Sequence, residues 1–134
     1  MLSMLLTAVL ATVVSEHSPT QKYSDAYRTA QQSGKPLMVV VSGEGCPACQ
    51  TLKASTLSQL KSSGQLSDVT LTVVDRDQEP ELAGQLMRGP MIPQIIVFSQ
   101  TDSGWKRLQL TGFQTEGRVR TLIRKALTLG RRSS

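Results

Sequence analysis

A chain of 134 residues with a formal charge of +5 can bury about two thirds of its unfolded surface around one core, so it needs no disulfide merely to fold. Its hydrophobic content of 39% excludes wholesale disorder, and five aromatics (Tyr23, Tyr27, Phe98, Trp105, Phe113) imply an aliphatic core. Nucleic-acid binding is excluded as well, because neither interleaved aromatics nor a reader motif accompanies the basic charge.

Residues 2–14 carry no charge and include Leu5, Leu6, Val9, Leu10, Val13 and Val14. This is the pattern of a secretory h-region, shorter than the ~20 apolar residues that span a bilayer, with small residues before Glu16 for cleavage. No Lys or Arg precedes the run, which leaves a short N-terminal membrane anchor or a helix packed on the domain as alternatives. Residues 1–15 are thus expected to be an export signal or anchor, and the protein to be periplasmic or otherwise extracytoplasmic. Polar residues 16–22, with Pro19, form a linker. A single domain follows over 23–129, and 130–134 make a basic tail.

Within the domain, Tyr23, Ala26, Tyr27 and Ala30 recur at helical spacing, and Gly34 with Pro36 ends that helix. Residues 36–42 form an uninterrupted run rich in β-branched side chains, the signature of a strand buried on both faces. Gly43-Glu44-Gly45 then delivers Cys46 to the carboxyl end of the strand, where open α/β sheets hold their reactive groups. Pro47 suits a first helical turn, since its missing N–H would have been an orphan. A helix carrying Leu52, Thr56 and Leu60 on one face continues to 62–64. A strand over 69–75 alternates Val69, Leu71 and Val73 with Thr70 and Thr72. Asp77 to Pro80 offer an N-cap and early proline for a short helix with Leu82 and Leu86. Proline at 93 opens the apolar strand 95–98, and a turn at 100–104 leads into an antiparallel partner, 105–111. The stripe Val119, Leu122, Ile123, Ala126, Leu127 makes a last helix, with Thr115 as its cap.

The two cysteines, Cys46 and Cys49, carry the chemistry. A helix that begins at Cys46 sets its sulfur beside unsatisfied N–H groups and the positive end of the dipole, which favours the thiolate. Cys49, one turn on, is close enough to close a disulfide. Two thiolates alone supply half of a tetrahedral zinc site, and His17 cannot complete it, so a metal-carrier reading would need outside ligands. Glu44 and Lys53 flank the motif and are read as solvated, although Lys53 could favour a thiolate. The basic residues near the C-terminus form a solvated helix face; weak attraction to anionic membrane surfaces is the alternative.

The order helix, strand, Cys-Pro-Ala-Cys helix, strand, short helix, Ile92-Pro93, hairpin, helix resembles the thioredoxin superfamily. The similarity extends over residues 23–129, and residues 34–37 look like those of short exported bacterial members. It implies an α/β fold with a central mixed β-sheet of about four strands flanked by helices. It also implies a thiol:disulfide oxidoreductase without cofactor or metal, monomeric, exchanging disulfides with protein substrates and served by a redox partner protein. Cys46 would then be the attacking sulfur and Cys49 the resolving one, with Pro47 and Ala48 tuning the couple. Pro93 would be cis, and Ile92 would pair its backbone with a bound substrate strand. Three departures stand out. Gly45 replaces the family's usual Trp, Pro47-Ala48 replace Gly-Pro, and Val40 and Leu71 stand where a buried Asp and a Lys assist proton transfer. The departures at Val40 and Leu71 make a non-catalytic binding module the alternative reading.

Overall fold

The computed structural model describes residues 22–132. The expected signal or anchor at 1–15 and all but the last residue of the linker lie outside these.

Helix α1, Tyr23–Ser33, closes on Gly34, whose φ of 74° is the left-handed value glycine adopts without strain. Strand β1, Leu37–Ser42, is buried at every residue. Helix α2, Pro47–Thr51, runs without a break into a π-helical segment, Leu52–Leu57, and then α3, Ser58–Ser62. The expected face is real, since Leu52, Thr56 and Leu60 are all buried, but the wider central turns have no counterpart in the sequence reading. A 3₁₀ turn, Gln65–Asp68, leads to β2, Thr70–Asp75, followed by α4, Pro80–Leu86. The hairpin of β3, Gln94–Thr101, and β4, Gly104–Thr111, precedes α5, Glu116–Arg132. That helix passes the expected boundary at 129, so Gly130, Arg131 and Arg132 continue it.

The sheet order is β2-β1-β3-β4, with β1 parallel to β2 and antiparallel to β3, and β3 antiparallel to β4. This is the expected mixed four-stranded sheet with helices on both faces. On one face Met38, Val40, Ile95 and Val97 pack with Leu52 and Leu60 of the dithiol helix and Val119, Ile123 and Ala126 of α5. On the other, Leu37, Val39, Val41 and Ile96 meet Ala26 and Ala30 of α1 and Ala83 and Leu86 of α4. A strand covered on both sides must be apolar throughout, which is why β1 lacks an alternating pattern. Each fully buried Leu, Ile or Val side chain contributes about 1.5–3 kcal/mol relative to exposure.

In β2, Thr70, Thr72 and Val74 are buried, while Leu71 and Val73 are half-buried and pack against the cluster beneath the dithiol helix. One local expectation is corrected. Asp77 does not cap α4. Its Oδ2 instead accepts the Glu44 N–H at 2.7 Å, and Glu79 precedes the helix without a side-chain cap.

Candidate active site

The site begins where β1 ends. Gly45, at a φ of 63°, turns the chain in a conformation that resists a side chain, and Cys46 follows in extended geometry as the N-cap of α2. The Sγ of Cys46 accepts the Cys49 N–H at 3.1 Å, as a capping oxygen would, and Pro47 occupies the first helical turn. The two sulfurs are joined in a disulfide, their Cα atoms 5.3 Å apart. Their surroundings differ: Cys46 is half-exposed, whereas Cys49 is 1% exposed. Pro47 is exposed and Ala48 half-buried on the outer side of the turn.

The other half of the site comes from the loop before β3. The Ile92–Pro93 bond is cis, as the resemblance implied. Val41 lies opposite Gln94 in the β1–β3 ladder, so Ile92 and Pro93 emerge at the same end of the sheet as Gly43 to Cys46. A Cβ added to Gly43 would sit 2.9 Å from Cδ1 of Ile92, which shows how closely the two loops approach. Pro93 is buried and its carbonyl accepts the Gly112 N–H at 2.8 Å, tying the loop to the end of β4. Beside it, Met91 and Phe113 are 61% and 47% exposed.

Two glutamines hold this region together, and the sequence reading missed both. Gln94 is wholly buried. Its Oε1 accepts from the Arg88 N–H at 3.1 Å and from Gln109 Nε2 at 3.0 Å, while its Nε2 donates to the carbonyls of Arg88, Gly89 and Met91 at 3.0, 3.1 and 2.9 Å. The segment ahead of Pro93 is therefore wrapped around one amide group. Gln114 Nε2 donates to the carbonyls of Thr111 and Gly112, and the Gln114 backbone carbonyl accepts from the Thr56 hydroxyl in the π-helical segment at 2.8 Å. An amide directly after a proline and before an apolar run was the available signal for Gln94, since a buried polar group must find partners.

Val40 is fully buried beneath the dithiol helix, and Leu71 packs against the same cluster. Charged groups that do approach this end of the sheet are Lys53, whose Nζ comes 3.5 Å from Oγ of the buried Ser42, and Asp77 and Arg76, whose side chains lie against Gly43. Glu44 is exposed, and Trp105 packs on Tyr27 with ring centres 5.7 Å apart, as a core residue would.

The family profile described as Thioredoxin-like matches residues 18–99, more than half of the chain. The chain belongs to the thioredoxin-like family. A thioredoxin from Thermus thermophilus is 26% identical over 81% of this chain and 85% of its own, with a TM-score of 0.69. The chloroplastic thioredoxin z is 20% identical, covering 81% of this chain and 93% of its own with a TM-score of 0.66. A Fasciola hepatica thioredoxin is 18% identical at a TM-score of 0.60, covering 77% and 92%. No curated protein matches the sequence. The thioredoxin-like fold and the paired cysteines support redox-type activity. Among the described residues of this thioredoxin-like chain, no helix is long and apolar enough to cross a membrane.

Proposed function

We propose that the protein is a thiol:disulfide oxidoreductase that exchanges disulfides with protein substrates through Cys46 and Cys49. The observation that carries this reading is the unequal pair: a half-exposed Cys46 whose Sγ accepts a backbone N–H, bonded to a buried Cys49. An N–H directed at the sulfur stabilises a thiolate more than a thiol, which favours Cys46 as nucleophile and leaving group.

In the reducing direction the Cys46 thiolate attacks a substrate disulfide. One substrate sulfur leaves as a thiolate and takes a proton from solvent. Cys49 then loses its proton and attacks Sγ of Cys46, expelling the second substrate sulfur. Two electrons pass to the substrate and the Cys46–Cys49 disulfide remains, to be reduced again by a partner dithiol. The oxidising direction is the reverse. The groove edge at Ile92 and Pro93, with Met91 and Phe113 exposed beside it, would receive an extended substrate segment.

The test is turnover of a protein disulfide with dithiothreitol as reductant. Cys46→Ser should reduce the rate to background, and Cys49→Ser should accumulate a mixed disulfide; unchanged turnover in Cys46→Ser refutes the reading. A binding module without turnover is the second reading, favoured by the apolar Val40 in place of a buried acid. Partner capture that persists with both cysteines replaced by serine would select it.

Residues 1–15 are proposed to direct the chain out of the cytoplasm, supported by their uncharged, apolar composition. Fractionation of cells producing the full chain, with sequencing of the mature N-terminus, tests export and cleavage together. The chain is proposed to act as a monomer, which sedimentation would check.

A further inference from the structure

Two consecutive residues just past β2 each hold one of the two loops that make the site. The Arg76 N–H donates to the Ser42 carbonyl at 2.9 Å, beyond the last paired residues of β1 and β2, so Arg76 and Asp77 stand at the end of the sheet that leads to Cys46. Asp77 Oδ2 accepts the Glu44 N–H at 2.7 Å, across 33 positions, and Arg76 Nη1 donates to the Pro90 carbonyl at 3.1 Å. The first bond anchors the stretch Gly43 to Gly45 that runs into Cys46. The second anchors the stretch that runs into Ile92 and Pro93. The side chains of Ile92, Asp77 and Arg76 converge on Gly43: a Cβ there would lie 2.9 Å from Ile92 Cδ1, 3.0 Å from Asp77 Oδ2 and 3.1 Å from Arg76 Nε.

The anchors are themselves braced. Asp75 Oδ1 accepts the N–H groups of Asp77 and Gln78 at 2.7 and 3.3 Å, and the Asp75 carbonyl accepts the Glu79 N–H at 2.9 Å. Glycines at 43 and 45 give the chain before Cys46 more conformational freedom than any other residue would, so something outside that stretch must hold it. A carboxylate that accepts a backbone N–H makes a charge-assisted bond, stronger than a neutral one. Asp77 makes that bond while α4 begins without a side-chain cap.

We propose that Arg76 and Asp77 are positioning residues that together set the distance between the Cys46 sulfur and the substrate edge at Ile92 and Pro93. The inference rests on the redox reading of Cys46 and deepens it. Because the two anchors are neighbours in sequence, one loop cannot shift without the other or without breaking a bond. A protein disulfide that lies on the edge while its sulfur meets Cys46 needs that distance, since a misplacement of about 1 Å can cost about 100-fold in rate. A small disulfide that meets only the sulfur does not.

The test uses the full chain and two substrates: a protein disulfide turned over with dithiothreitol, and dipyridyl disulfide reacting directly with the reduced protein. Asp77→Ala and Arg76→Met should each lower kcat/KM for the protein disulfide about tenfold, while the rate with dipyridyl disulfide stays within about twofold. Asp77→Asn keeps an acceptor and should recover most of the loss, and Arg76→Lys keeps a donor and should recover part. Equal losses with both substrates would mark mere support of the fold, and they would overturn the proposal, as would no loss with either. Asp77→Asn as slow as Asp77→Ala would overturn it too, because charge and not the hydrogen bond would then be at work. Hydrogen exchange reads the anchor without any variant: in the oxidised, unaltered protein the exposed Glu44 amide should exchange about tenfold slower or more than a free amide, and free exchange refutes the anchor. Absent turnover of the protein disulfide by the unaltered protein refutes the redox reading instead, and the Glu44 amide still decides the anchor.

Discussion

The backbone N–H of Cys49 points at the sulfur of Cys46, 3.1 Å away, so the residue that would resolve a mixed disulfide also caps the residue that would form it. One buried and one half-exposed sulfur follow from the same helical turn. Reduced protein should therefore alkylate at Cys46 about tenfold faster or more than at Cys49, since the thiolate and its access set the rate. Peptide mapping after a brief iodoacetamide pulse checks this, and equal labelling would contradict the asymmetry.

Gln94→Leu should leave the backbone groups of Arg88, Gly89 and Met91 without their buried partner. The expected loss is about 1–3 kcal/mol of stability in urea unfolding, with faster amide exchange over 88–91 than elsewhere. If substrate docks on this loop, KM rises more than kcat falls.

Gly43→Ala would drive a methyl group to 2.9 Å from Ile92 Cδ1 and 3.0 Å from Asp77 Oδ2. Both are side-chain tips that can move, so a modest destabilisation of about 1 kcal/mol is expected. The displaced Ile92 should raise KM for a protein disulfide, and calorimetry alongside kinetics separates the two effects.

Lys53→Met removes the ammonium group that approaches Ser42 at the foot of the dithiol helix. The contact is long and Lys53 is exposed, so the loss in urea unfolding should stay below about 1 kcal/mol. Lys53→Arg should restore it in part. A larger loss would show that the ammonium group is needed to hold Ser42 at the end of β1.

The parts legible in the sequence are those whose cause is local or periodic. The run at residues 37–42 must be apolar because both faces of β1 are covered, and the α5 stripe repeats at the helical period. The Cys46–Cys49 spacing and Pro47 announce a helix start without any knowledge of the rest of the fold. What escaped depends on distant partners. Thr56 and Gln114 meet across 58 positions, and Gln94 is buried because β4 and the preceding loop close over it. Neither fact leaves a periodic mark. The burial of Thr70 and Thr72 is likewise unmarked, since alternation records polarity and not which face is more deeply covered.

The helix that bears the two sulfurs is wound more widely between Leu52 and Leu57 than on either side. Its far end is fixed by Leu60 in the core, and its middle by the Thr56 hydroxyl on the Gln114 carbonyl. Deleting a single residue from that stretch would let it tighten to an ordinary α-helix. The turn that carries Cys46 and Cys49 would then be set about 100° away around the helix axis relative to Leu60. The half-exposed sulfur would turn away from Ile92 while the fold around it survived, so one surplus residue serves as the rotational setting of the whole redox pair.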